Sequence, residues 1–130
     1  MIEFQGFGEA PVQWLGAVRD GLPVEAVDKV ISDGRLTLVE LDRLVLPRKT
    51  LAHRRMLGRL TADQSDRLAR VLRIIQEAEI TFGDTRKARI WLRRPTPLLD
   101  NETPLDRLDT DIGTQQVGDL LGRISHGIAA

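Results

Sequence analysis

Arg48, Lys49, Arg54, Arg55 and Arg59 fall within one acid-free stretch, LPRKTLAHRRMLGRL at 46–60, in a chain with 19 basic and 19 acidic residues. Cations at that density make either a solvated helix face or a surface shaped for something negative, and the anion that best suits Lys and Arg is phosphate. Placed on a helix with Pro47 at its first position, the stretch puts Leu51, Ala52 and Met56 on one side. Lys49, Thr50, His53 and Arg54 lie on the other side, with Arg48, Arg55 and Arg59 flanking them. Lys and Arg bind the phosphate backbone, while Thr and His can bond phosphates or base edges. The side chains expected to contact DNA are therefore Arg48, Lys49, Thr50, His53, Arg54 and Arg55.

Catalytic chemistry has little footing. The absence of cysteine excludes disulfides and thiolate zinc sites. There is no Gly-x-Ser-x-Gly elbow, and His53 and His126 lie in different halves without an HExxH-type partner. Asp106, Asp109 and Asp111 are spaced as caps and polar loop rather than as a catalytic pair. An enzyme is not expected, nor a cofactor or a metal. No apolar run reaches the ~20 residues that span a membrane. The first residues, MIEFQGFGEAP, carry acids where a signal peptide carries bases, so a cytoplasmic home is expected.

The elements that must position these groups are helical throughout, and the expected fold class is all-α. Leu68, Val71, Leu72, Ile75 and Phe82 form one stripe of a long helix. Thr61 and Gln64 make a capping box at its start, Gly83 suits its end, and Asp84 can cap a second helix over about 85–93. Three prolines in RPTPLLDNETP break the chain there, and Thr103 with Pro104 begins a short turn. A last helix over about 111–125 offers Val117, Leu120, Leu121 and Ile124, and Gly127 stops it. Upstream, PVQWLGAVRDG, PVEAVDKVISDG, TLVELDRLV and PRKTLAHRRM read as short helices. The third, with Leu38, Leu41, Leu44 and Val45 as its stripe, meets the fourth at a tight LP junction, the layout of a helix-turn-helix. A soft boundary is expected at Gly58–Thr61, giving an N-terminal region of 1–58 and a C-terminal domain of 59–130. A second basic run, Arg86, Lys87, Arg89, Arg93 and Arg94, is expected to lie against the acidic segment from Asp100 to Asp119.

The C-terminal half carries a more specific pattern. FG at 82–83, Ala88, WL at 91–92, the prolines, PLD at 104–106, Leu108, Thr110, Gly113, Val117, Leu121, RI at 123–124 and Gly127 resemble the C-terminal domain of Xre/MbcA/ParS antitoxins. LPRKTLAHRR is similar to the end of that family's helix-turn-helix, and the resemblance covers roughly residues 21–128. It implies a type II toxin–antitoxin system whose partner is a RES-domain toxin acting on NAD. It further implies a homodimer that binds operator DNA through its N-terminal half and covers the toxin with its C-terminal domain. Carried onto this chain, Arg123, Ile124, His126, Gly127 and Ile128 would be the toxin-neutralising residues. Two other classes remain open: a free-standing transcription regulator whose C-terminal half only dimerises, and an interaction module that touches no DNA.

Overall fold

Local capping sets where the helices begin. Thr61 Oγ1 accepts the Gln64 N–H at 3.1 Å and Gln64 Oε1 accepts the Thr61 N–H at 2.9 Å, the reciprocal box expected from the sequence. Asp84 Oδ1 accepts the amides of Arg86 and Lys87 at 2.7 and 3.2 Å. Thr110 Oγ1 accepts the Gly113 N–H at 2.9 Å. A further box joins Thr37 and Glu40 at the start of the helix that follows, on the same Thr-x-x-Glu/Gln spacing.

The computed structural model describes residues 11–127. In chain order these form α1 (Pro11–Asp20), α2 (Glu25–Ser32), α3 (Leu38–Leu44), α4 (Arg48–Leu57), α5 (Ala62–Phe82), α6 (Thr85–Leu92) and α7 (Asp111–Ser125). Two short 3-10 segments, Pro97–Leu99 and Leu105–Asp109, lie between α6 and α7. The fold is all-α, and among the described residues the extended pairing is a single antiparallel bridge between Pro23 and Arg59.

The chain divides into two compact units between Ala69 and Arg70, inside α5, rather than at the glycine-marked turn near Gly58. The reason is a clamp that draws residues 59–68 into the first unit. The Leu60 N–H donates to the Leu22 carbonyl at 2.9 Å, the Val24 N–H to the Gly58 carbonyl at 3.1 Å, and the Leu22 N–H to Ser65 Oγ at 2.8 Å. Gly21 makes this approach possible: at φ +92° a Cβ would run into the Leu60 carbonyl oxygen. Around the clamp, Val27, Val30, Leu36, Leu41, Leu44 and Leu68 are buried, each such side chain contributing about 1.5–3 kcal/mol relative to exposure. Leu38, expected on the buried stripe of α3, is instead exposed; it stands at the first position of that helix.

In the second unit Val71, Leu72, Ile75, Leu108, Val117 and Leu121 are buried, so the expected stripes of α5 and α7 form the core. Phe82 and Trp91 are half-buried and pack as a tilted pair with ring centroids 5.5 Å apart. The 3-10 segments are held by Arg107, the only base in the acidic stretch. Its guanidinium donates to the Leu99 carbonyl and to Gln116 Oε1, each at 2.8 Å, and pairs with Asp100 and Glu102 at 3.2 Å. Gly113 seats the start of α7 against this turn, since a Cβ there would collide with the Arg107 carbonyl.

The clamp makes a direct prediction. Ser65→Ala leaves the buried Leu22 amide without its acceptor and should lower unfolding free energy by about 1–3 kcal/mol in urea denaturation. An unchanged midpoint would show that the clamp does not depend on this bond.

Candidate functional site

α4 is positioned by its ends more than by its core contact. Of its ten residues only Leu51 is buried. At the N-terminus the Arg48 N–H donates to Asp42 Oδ2 of α3 at 3.0 Å, and Pro47, just before the first helical residue, has no amide to satisfy. At the C-terminus Gly58 adopts φ +82° and its N–H donates to the Arg54 carbonyl at 2.8 Å, closing the helix. The three-residue connection of Val45, Leu46 and Pro47 carries two of its side chains into the core, which keeps α3 and α4 in fixed register.

The six residues expected to meet DNA separate into two groups. Lys49 and His53 are exposed and Thr50 is half-exposed, and none of the three makes a side-chain bond to the other described residues. Arg48 is exposed, with Nε 4.0 Å from Asp42. Arg54 and Arg55 instead brace the unit. Arg54 Nε–H donates to the Arg59 carbonyl at 2.7 Å, and Arg55 pairs with Asp28 of α2 at 2.7 Å. Arg59 in turn donates to the Gly21 carbonyl at 3.0 Å. Arg54 therefore does not share the open face with Lys49 and His53 as the helical projection suggested. It and Arg55 flank Leu51, and the buried side of α4 is narrow enough to leave both within reach of main-chain and α2 acceptors.

Two apolar residues are displaced in the opposite sense. Ala52 and Met56, expected to pack inward with Leu51, are both exposed, Met56 at 84%. A helix that buries a single residue has an apolar ridge too thin to include positions one and five residues further on. Met56 thus joins Lys49 and His53 at i, i+4 and i+7 on the outward face.

In the second unit α7 carries the other set. Arg123 and His126 are exposed and Ile124 is half-buried. His126 Nδ1 lies 2.7 Å from the Gly122 carbonyl, and the helix closes with the Gly127 N–H donating to the Ile124 carbonyl at 3.0 Å and Gly127 at φ +73°. Ile128 lies outside the described residues. Arg123 borders a hollow of about 240 Å³ with Leu98, Leu99, Gln116, Asp119 and Leu120. On the other edge of α7 an open groove of about 560 Å³ runs between α5 and α7, lined by Arg73, Glu77, Thr114 and Gly118 among others. Asp119 borders both. Sequence reasoning found Arg123 but missed this hollow, because its other wall is the proline-led turn of Leu98 and Leu99, which the chain brings beside α7 only on folding.

Comparison with known proteins accounts for both units. Residues 13–73 match the Antitoxin Xre-like helix-turn-helix domain, and residues 77–127 match the Antitoxin Xre/MbcA/ParS C-terminal toxin-binding domain. Antitoxin Xre of Photorhabdus laumondii is 36% identical over 129 residues, covering 96% of this chain and 87% of that protein. The chain belongs to the Xre family of antitoxins. Antitoxin Xre of Pseudomonas putida is 38% identical over 85% of this chain and 69% of its own, and that of Yersinia enterocolitica 32% over 86% and 78%. In this Xre-family chain, α3 and α4 lie within the helix-turn-helix match, while α6, the Arg107 turn and α7 lie within the toxin-binding match. Among the described residues no helix is long and apolar enough to cross a membrane.

The Asp28–Arg55 tie has a pH signature. Hydrogen bonding to the Arg55 guanidinium, reinforced by its charge and opposed by a little burial, holds the Asp28 carboxyl below its usual value. Because the folded value is depressed, the tie contributes above the unfolded Asp value of about 3.9 and fades as pH falls through the lower folded value. Both side chains are about half exposed, so the contribution is under ~1 kcal/mol. Asp28→Asn should remove that acid-side component from a pH series of unfolding midpoints while altering stability little at neutral pH. A variant whose acid profile overlays the parent's would remove Arg55 from the brace.

Proposed function

We propose that this chain neutralises a cognate RES-domain toxin that consumes NAD, and represses its own operon by binding operator DNA, as a type II antitoxin acting in the cytoplasm as a homodimer. The reading is supported above all by the presence, in one chain, of an Xre-like helix-turn-helix domain and a toxin-binding domain. Neutralisation works by occlusion. The end of α7 and the residues after it, Arg123, Ile124, His126, Gly127 and Ile128, lie over the toxin's active-site cleft, held there at high local concentration by the packed helix. Such a plug excludes substrate without chemistry, which agrees with the absence of any catalytic constellation in the sequence. Preorganisation by Thr110, Gly113 and Arg107 at the other end of α7 reduces the ordering cost of docking.

The test is co-expression with the reading frame adjacent to this gene, followed by cellular NAD. Intact chain should preserve NAD and growth. Deleting residues 126–130 should let NAD fall while operator retention persists; full protection by the shortened chain would remove the tail from the mechanism.

DNA binding is assigned to Arg48, Lys49, Thr50, His53, Arg54 and Arg55, with the burden unequal. Lys49 has no competing partner among the described residues, so Lys49→Ala should weaken binding and reduce the slope of log affinity against log salt by about one. Arg55 already holds Asp28, so Arg55→Ala should change the slope less. Equal slopes for the two variants would show that the Asp28 pair opens on DNA.

A further inference from the structure

We infer that Met56, with Ala52 one turn before it, reads the 5-methyl group of thymine in the major groove. This rests on the proposal that α4 enters a DNA groove, and adds to it which base the helix selects and by what force. Met56 is 84% exposed, more so than any other large apolar side chain among the described residues. It stands on the outward face at the helical spacing of Lys49 and His53, and Ala52, also exposed, occupies the position between Arg48 and Met56 on that face. The helix is anchored instead through Leu51, Arg54 and Arg55, so neither Ala52 nor Met56 is needed to seat it.

An apolar strip bordered by cations suits one feature of the major groove. Of the four bases only thymine projects a methyl group there, and apolar side chains are its natural contacts. Lys49 and Arg48 hold the phosphates or purine acceptors, while the strip between them excludes water from the methyl. Methionine is well fitted to this task, because its unbranched thioether adapts its rotamer to a methyl at a variable position. Burying one methyl contributes enough to alter affinity about fourfold.

The probe is the duplex that the intact chain selects from a random-sequence pool, remade with deoxyuridine in place of one thymine at a time, which removes only the methyl. The parent chain should lose about fourfold in affinity at one or two thymines, clustered within one helical turn. Met56→Ala should bring the thymine-to-uracil ratio at one of them close to one, and Met56→Ala with Ala52→Ser should abolish discrimination there. The salt slope should not move, since no charge is removed. Both positions are exposed, so the variants should keep the parent's helical circular dichroism.

Equal binding of thymine and uracil duplexes by the parent overturns the inference and leaves DNA binding by α4 standing. So does a Met56→Ala variant that keeps the full methyl penalty. If Met56→Ala instead impairs toxin neutralisation with the ratio unchanged, the strip serves a protein partner and the inference fails. Retention of no duplex by the parent would fell both this inference and the assignment of α4 to DNA.

Discussion

A helix that leaves its outward face open has to be held in position from its other side and its ends. In α4 this constraint is severe, because Leu51 is its one buried residue. Positional control therefore passes to polar contacts at the edges: Asp42 on the Arg48 amide, the Arg59 carbonyl on Arg54, and Asp28 on Arg55. Each is modest in free energy, but together they fix the ends and both flanks of a ten-residue helix. The basic stretch is thus two systems interleaved at helical spacing, a brace of arginines turned toward the protein and an open face turned away.

The brace depends on the clamp behind it. Arg54 finds its acceptor only because the chain after Gly58 turns back and pairs with residues 22–24, and Gly21 permits the close approach. Ser65 then completes the pairing from the first turns of α5. Remove the clamp and the Arg59 carbonyl has no defined place, so the core and the placement of α4 are coupled through one short run of backbone bonds.

The second unit solves the same problem by a different route. α7 buries a full apolar face, so its outer edge can be populated freely with Asp119, Gly122 and Arg123. What needs special provision is the irregular segment between α6 and α7, where three prolines prevent regular hydrogen bonding. Arg107 supplies it, satisfying the Leu99 carbonyl, Gln116 and two carboxylates from one planar fork. The hollow beside Arg123 is a by-product of that arrangement, walled by the Leu98–Leu99 turn on one side and α7 on the other.

The sequence by itself determined where α5, α6 and α7 begin and which stripes of α5 and α7 are buried. Thr61, Asp84, Thr110, Gly83 and Gly127 all act as their types and spacing indicate, and Val71, Leu72, Val117 and Leu121 lie in the core. Caps and periodicity operate between residues three or four apart, so a linear reading contains them. The resemblance carried by the C-terminal pattern extended that reading to the family. Only the tertiary structure decided which cations are open and which are spent on the fold, that Met56 and Ala52 face outward, and that the units part inside α5. Arg55 meets an acid 27 positions away and Leu22 an oxygen 43 positions away, distances at which charge and periodicity carry no information until the chain has closed on itself.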